Sequence, residues 1–188
     1  GMKSTYLLGF CISEEGKSLD PRKLSNLQEY PKPATGKQMQ RFLGLINYFR
    51  DHLPLAAHLT APLDALRHLE KHKTIRWDDR LLSHFDAIKN ILVSNIVLKP
   101  IDIHRPIHVV TDASNYGIGA ALYQEDITSN EDGNTVSRIT YNGFMARSLS
   151  LSERNYGTTK RELLAIVFAL KKFHKFLYGR KFTIHTDH

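Results

Sequence analysis

Three carboxylates stand where carboxylates are costly to place. Asp112 closes the apolar run of "VVTDASNYGIGAAL", Asp187 closes a second such run in "FTIHTDH", and Glu162 lies within "KRELLAIVFALKKFHKFL". At about 100° per residue, Ile166, Leu170, Phe173 and Leu177 form an apolar helix strip with Leu163 and Ala169 at its edges. Glu162 falls inside that strip, while Lys160, Arg161, Lys171 and Lys175 point the other way. Ionised carboxylates are rarely buried without a partner. Each of the three has an ordinary reading: an aspartate at a strand end caps a helix or opens a turn, and a glutamate in a first turn answers the helix dipole or an ion pair. The other reading joins them, with Asp112 and Asp187 presented from adjacent central strands of a sheet and Glu162 laid over them by the helix. Three such groups repel one another unless divalent cations neutralise them. Carboxylate and water ligands suit Mg2+ or Mn2+, and paired ions of this kind drive in-line hydrolysis of phosphodiesters. Gly117 and Gly119, beside Asp112, either admit a second backbone such as a sugar-phosphate chain or mark a bulge or twist next to helix packing.

The elements that must position these groups are legible in outline. The chain has 188 residues, 41% of them hydrophobic, which is enough for one ordinary domain or two small ones. No apolar run approaches the ~20 residues of a bilayer span, and the N-terminus lacks a signal-peptide layout, so an intracellular protein with no membrane partner is expected. The single Cys11 excludes an internal disulfide and a thiolate zinc cluster. A net charge of +7 favours a polyanionic partner such as nucleic acid. Lys160, Arg161, Lys171, Lys172, Lys175, Arg180 and Lys181 crowd one late stretch, which a solvated face would also explain.

"TYLLGFCIS" reads as one strand that "EEGKSL" turns into a hairpin at Gly16. An Asp20-Pro21 start opens a helix with Leu24 and Leu27 on one side, stopped by Pro31 and Pro33. Thr35 caps a helix to about His52 with Met39, Phe42, Leu43, Ile46 and Phe49 on its apolar side. Helices over Leu59–Leu69 and Asp78–Ser94 complete a helical module. Near Lys99 the period changes, and strands are expected at Ile107–Thr111, Gly117–Gln124 and Arg138–Phe144, with "EDITSNEDGNT" as a hairpin loop. One long helix, Ser152–Tyr178, and a strand, Lys181–Thr186, follow.

The stretches "TDASNYGIGAAL", "LSLSERNYGTTKRELLAIVFALKKFHKFLYGRKFTIHTDH" and "FLGLINYF" resemble the pol polyprotein of gypsy-type LTR retrotransposons over nearly the whole chain. The resemblance implies the end of a reverse transcriptase palm with a primer-grip-like hairpin at 1–20, a helical thumb at 21–98, and an RNase H-like domain at 99–188. The fold class is then α+β/α/β, a small helical module followed by a truncated RNase H-like mixed β-sheet with a packed helix. By motif matching, Asp112, Glu162 and Asp187 take the places of three metal-binding carboxylates, with two Mg2+ or Mn2+ ions in the parent enzyme. Asn115 and Gly117 are expected among its nucleic-acid-binding residues. "QRFLGLINYF" resembles the thumb helix that tracks a minor groove. There Gln40, Gly44 and Tyr48 share one face, offering an amide, a bare backbone and an aromatic ring to a duplex, unless Gly44 and Tyr48 serve helix packing instead.

The implied partners are an RNA/DNA hybrid or other duplex and the rest of the reverse transcriptase, in cytoplasmic virus-like particles with later access to the nucleus. Nothing matches the fingers or the palm's Asp-Asp motif. The family's last strand, later helices and fourth carboxylate also have no counterpart, so the RNase H-like part is expected to be C-terminally incomplete and this chain a weak or inactive nuclease alone. The alternative is a domesticated, non-catalytic nucleic-acid-binding or scaffold module. An exposed sheet edge at the last strand would also allow self-association.

Overall fold

The computed structural model describes residues 4–54, 56–129 and 135–186. Three short strands open it: β1 (Ser4–Leu7), β2 (Phe10–Ser13) and β3 (Gly16–Leu19), an antiparallel meander rather than the expected single hairpin. The first strand breaks because Leu8 (φ 49°) and Gly9 (φ 79°) both adopt the left-handed region between the paired Leu7 and Phe10. Two consecutive positive φ angles are what a tight two-residue hairpin turn requires.

Helix α1 (Pro21–Gln28) starts where Asp20 accepts the Arg22 N–H, and α2 (Gly36–Tyr48) starts where Thr35 accepts the Gln38 N–H. A 3-10 turn at Arg50–His52 carries the chain into α3 (Ala56–Asp64). That helix lies earlier than the expected Leu59–Leu69, because beyond Ala65 the backbone tightens into i→i−3 bonds at Leu66, Arg67 and Leu69. Helix α4 (Asp79–Val93) is capped by Asp78. Met39, Phe42, Leu43, Ile46 and Phe49 are all buried in one cluster with Phe85, Ile88 and Leu92 from α4.

The second half is a four-stranded sheet in the order β6-β5-β4-β7, comprising β4 (Ile107–Ala113), β5 (Gly117–Ser129), β6 (Thr135–Ser148) and β7 (Phe182–His185). Strands β4, β5 and β6 are antiparallel, whereas β7 runs parallel to β4. The expected hairpin loop is largely strand: β5 and β6 stay paired out to Ser129 and Thr135, and only residues 130–134 of that stretch lie outside the described residues. Ile127, Val136 and Ile139 sustain this exposed ribbon, whose polar composition hid it in the sequence.

The expected long helix is three: α5 (Leu151–Arg154), α6 (Thr158–Lys172) and α7 (His174–Leu177). Extended backbone at Gly157 separates the first two, and Phe173 interrupts the regular bonding between the last two. Helix α6 packs on β4 and β5. Its buried stripe is Glu162, Ala165, Ala169 and Phe173, rotated from the expected one, and Leu163 is 60% exposed. The two alanines, both fully buried, let the helix axis approach the sheet more closely than Ile166 and Leu170 would.

The halves are joined by specific contacts. Leu98 exchanges backbone hydrogen bonds with Lys17 of β3, Lys99 N–H donates to Tyr141 of β6, and Arg50 Nε donates to the Ala146 carbonyl at 3.1 Å. The chain near the expected boundary is thus stitched to both halves.

Candidate active site and nucleic-acid interface

Alternating apolar residues draw β4 through the sheet, with Ile107 and Val109 buried against α6, and the run ends with a half-buried Asp112. Asp112 pairs with Gly119 in the register, so the strand opposite presents no side chain there. Glu162 sits in the first half of α6 and is only 5% exposed, on the face turned to the sheet. The loop after Asp112 connects directly to this part of the helix, because Arg161 Nη1 donates to Asn115 Oδ1. That contact ties the segment following one carboxylate to the residue preceding the other.

The third predicted carboxylate, Asp187, lies outside the described residues. Its strand is described up to the Val110–His185 pair. β7 adjoins β4 as expected, but it forms the edge of the described sheet rather than its centre. Among the described residues no three His, Cys, Asp or Glu side chains form a group able to hold a metal ion. Asp112 and Glu162 are hard oxygen donors, and such donors fit Mg2+ or Mn2+.

A cavity of about 310 Å³ opens beside Asp112, lined also by Val110, Ala121, Tyr141, Phe144 and, from the helical half, Pro54. Near the end of β6, the Arg147 guanidinium grips Glu153 at 2.7 and 2.9 Å. Glu153 also accepts the Ser150 N–H while Ser150 caps α5, a reciprocal capping box. The Arg147 hydrogen bonds, followed by that of the Ser150 N–H, hold the Glu153 carboxyl down to about 2.

Gly117 is not open to a phosphate chain. It is buried, and a Cβ placed there would collide with Ala57 of α3 and stand 2.9 Å from the Arg147 carbonyl oxygen. The backbone it admits is the helical half of this chain. On α2 the three predicted contact residues differ in availability. Gln40 donates its amide to the Arg67 carbonyl at 2.9 Å, and Tyr48, though 51% exposed, donates its hydroxyl to Leu8 and stacks on Phe10. Gly44 faces open space.

Arg161, expected on the solvent side of the helix, is half-buried and donates to Asn115; its position next to a glutamate on the apolar strip is the sequence signal. Of the late basic cluster, Lys172 and Lys175 line a groove of about 710 Å³ together with Lys17 and Lys99, between β3 and the end of α6.

A mixed sheet of three antiparallel strands and one parallel strand, packed on one face by a helix that buries a glutamate, defines an RNase H-like α/β protein. The chain belongs to the family described as the RNase H-like domain found in reverse transcriptase, which matches residues 77–184. It is similar to the retrovirus-related Pol polyprotein from transposon gypsy of Drosophila melanogaster, with 36% identity over 197 residues, covering 99% of this chain and 18% of that protein. The corresponding polyprotein from transposon opus of the same fly is 32% identical over 191 residues, covering 96% of this chain and 18% of the relative. The transposon Tf2-3 polyprotein of Schizosaccharomyces pombe is 31% identical over 183 residues, covering 96% and 13%. This chain therefore spans less than a fifth of each of these relatives.

Its fold is that of the foamy viral protease-reverse transcriptase solved in complex with RNA/DNA hybrid, at a TM-score of 0.72 and 20% identity, covering 98% of this chain and 24% of that one. The same protein with dsDNA gives a TM-score of 0.72, covering 98% and 37%. Among the described residues no helix is long and apolar enough to cross a membrane.

Proposed function

We propose that this chain is the part of a retroelement reverse transcriptase in which a palm-end hairpin (1–20) and thumb (21–98) hold a duplex, and an RNase H-like region (99–188) hydrolyses the RNA strand of an RNA/DNA hybrid. The observation that carries the reading is the Arg161–Asn115 contact beside buried Glu162, which brings the end of β4 and the first half of α6 to one place.

Asp112 and Glu162, with Asp187, would hold two Mg2+ or Mn2+ ions. Bound there, the ions would supply an activated water and stabilise the departing 3′-oxygen. The residues of the chain do the rest. Burial of Glu162 under α6 fixes one oxygen donor in a water-poor setting, where its charge acts strongly. Asn115, held by Arg161, offers its amide N–H groups at the mouth of the site, toward the sugar-phosphate backbone. The exposed face of α2 at Gly44 admits the duplex, and the lysine-lined groove adds positive potential along its path. The same reading places the protein in cytoplasmic particles with later access to the nucleus.

The test is calorimetric titration of Mg2+ and Mn2+ into the chain, its Asp112→Asn and its Glu162→Gln variants, paired with cleavage of a labelled RNA/DNA hybrid. Metal binding lost in both variants, with salt-sensitive hybrid binding retained, supports the site. Metal binding indifferent to both substitutions would overturn the assignment. Hybrid binding without any metal uptake would point instead to a binding module.

A further inference from the structure

On the sheet, His108 of β4 and His185 of β7 meet side by side, with His108 Nδ1 and His185 Nε2 3.1 Å apart. We infer that these two imidazoles form a binding site for one borderline transition-metal ion, Zn2+ or Ni2+, which fastens the edge strand β7 to β4. The site uses nitrogen donors, whereas the carboxylate chemistry proposed above uses oxygen.

The spacing of the two nitrogens is close to that of two ligands sharing a metal. With metal–nitrogen bonds of about 2.0–2.1 Å and a near-tetrahedral angle, two ligating nitrogens stand roughly 3.3 Å apart, so their separation needs to change little while the rings turn toward the ion. The rings are also held in place. His108 stacks on Tyr123 with centroids 5.1 Å apart and planes within 17°, and Tyr123 lies 6.1 Å from the His185 ring. Backbone pairing of Val110 with His185 and of His108 with Thr183 fixes the strands beneath them.

In the metal-free protein one of the facing nitrogens carries a hydrogen and donates it to the other. Metal uptake requires that proton to pass to the far nitrogen of its own ring, which leaves the lone pairs of both facing nitrogens for the ion. His185 is exposed and His108 half-buried, so water can complete the coordination. Imidazole nitrogen favours Zn2+ and Ni2+ over Mg2+, which prefers oxygen.

A second histidine pair shows the contrast. The His58 and His84 rings are 6.2 Å apart, and His84 Nδ1 is engaged by the Leu59 carbonyl at 3.0 Å. Along β4, His108 and Asp112 are four residues apart, about 13 Å of extended strand, so the imidazole pair is separate from Asp112.

The experiment titrates Zn2+, and separately Ni2+, into the whole chain in excess Mg2+, read by calorimetry and by the histidine ring resonances in NMR. One ion per chain is expected, undisturbed by Mg2+ and at least about tenfold weaker in both His108→Asn and His185→Asn. Zn2+ should also raise the thermal unfolding midpoint of the wild type and not of the variants. Because His185 is exposed, its variant should fold, which its midpoint without Zn2+ verifies; His84→Asn should bind like wild type. Displacement by Mg2+, full affinity in either single variant, or no saturable binding would overturn the inference.

Discussion

Ala57 of α3 occupies the space that a side chain at Gly117 of β5 would need. Gly117→Ala should therefore destabilise the protein by about 1–3 kcal/mol through overpacking at the joint between the halves. Urea unfolding checks this, and Ala57→Gly in the same chain should recover part of the loss. A neutral Gly117→Ala would mean that the joint yields.

The Glu153 carboxyl sits at about 2 in the folded chain against an ordinary value of 4.5, so between those values the unfolded chain binds more protons. The stability contributed by the Arg147–Glu153 pair is thus complete above pH 4.5 and is lost as pH falls through about 2. Glu153→Gln should lower stability at neutral pH and flatten this acid limb, as measured by unfolding free energy against pH.

Burial, reinforced by the nearby Lys17 charge, holds the His52 imidazole down to about 4 from its ordinary 6.5. Its ring packs 5.1 Å from Phe10 beneath the opening strands. The folded chain keeps it neutral where the unfolded chain would protonate it, so stability present above pH 6.5 is lost as pH falls through about 4. In His52→Leu that part of the pH dependence should vanish. A profile unchanged between those pH values would place the titrating group elsewhere.

Local signals were legible in the sequence, and packing between distant segments was not. Thr35, Asp20 and Asp78 announced their helices because capping is local, and Glu162 announced its burial because helical periodicity is local too. The stripe around Glu162 was misread because alanine is weakly apolar by type, yet Ala165 and Ala169 are the residues that let α6 settle on the sheet. Gly117 was legible as a point of close approach, but its neighbour Ala57 is 60 positions away and nothing local names it. The turn at Leu8 and Gly9 was hidden because a leucine rarely adopts positive φ.

Arg161 and Asn115 should behave as one unit. If the guanidinium positions the amide at the mouth of the site, Arg161→Ala and Asn115→Ala will each weaken hybrid binding, and the double variant will fall short of their sum by about 0.5–3 kcal/mol. Additive losses would mean that the two act separately.

Gly44 separates the two readings of the thumb-like helix. It lies inside α2, and a Cβ added there meets nothing within 4 Å, so Gly44→Ala should stabilise the helix by about 0.5–1 kcal/mol. A residue kept only for packing would show no such gain, because its space would already be filled. If the bare backbone instead admits a duplex, the same methyl intrudes on the groove, and hybrid affinity should fall while stability rises. Opposite signs in unfolding and in fluorescence-anisotropy titration with an RNA/DNA hybrid are the expected result. A stabilised variant with unchanged affinity would remove α2 from the nucleic-acid interface and leave binding to the lysines around the groove at Lys17, Lys99, Lys172 and Lys175.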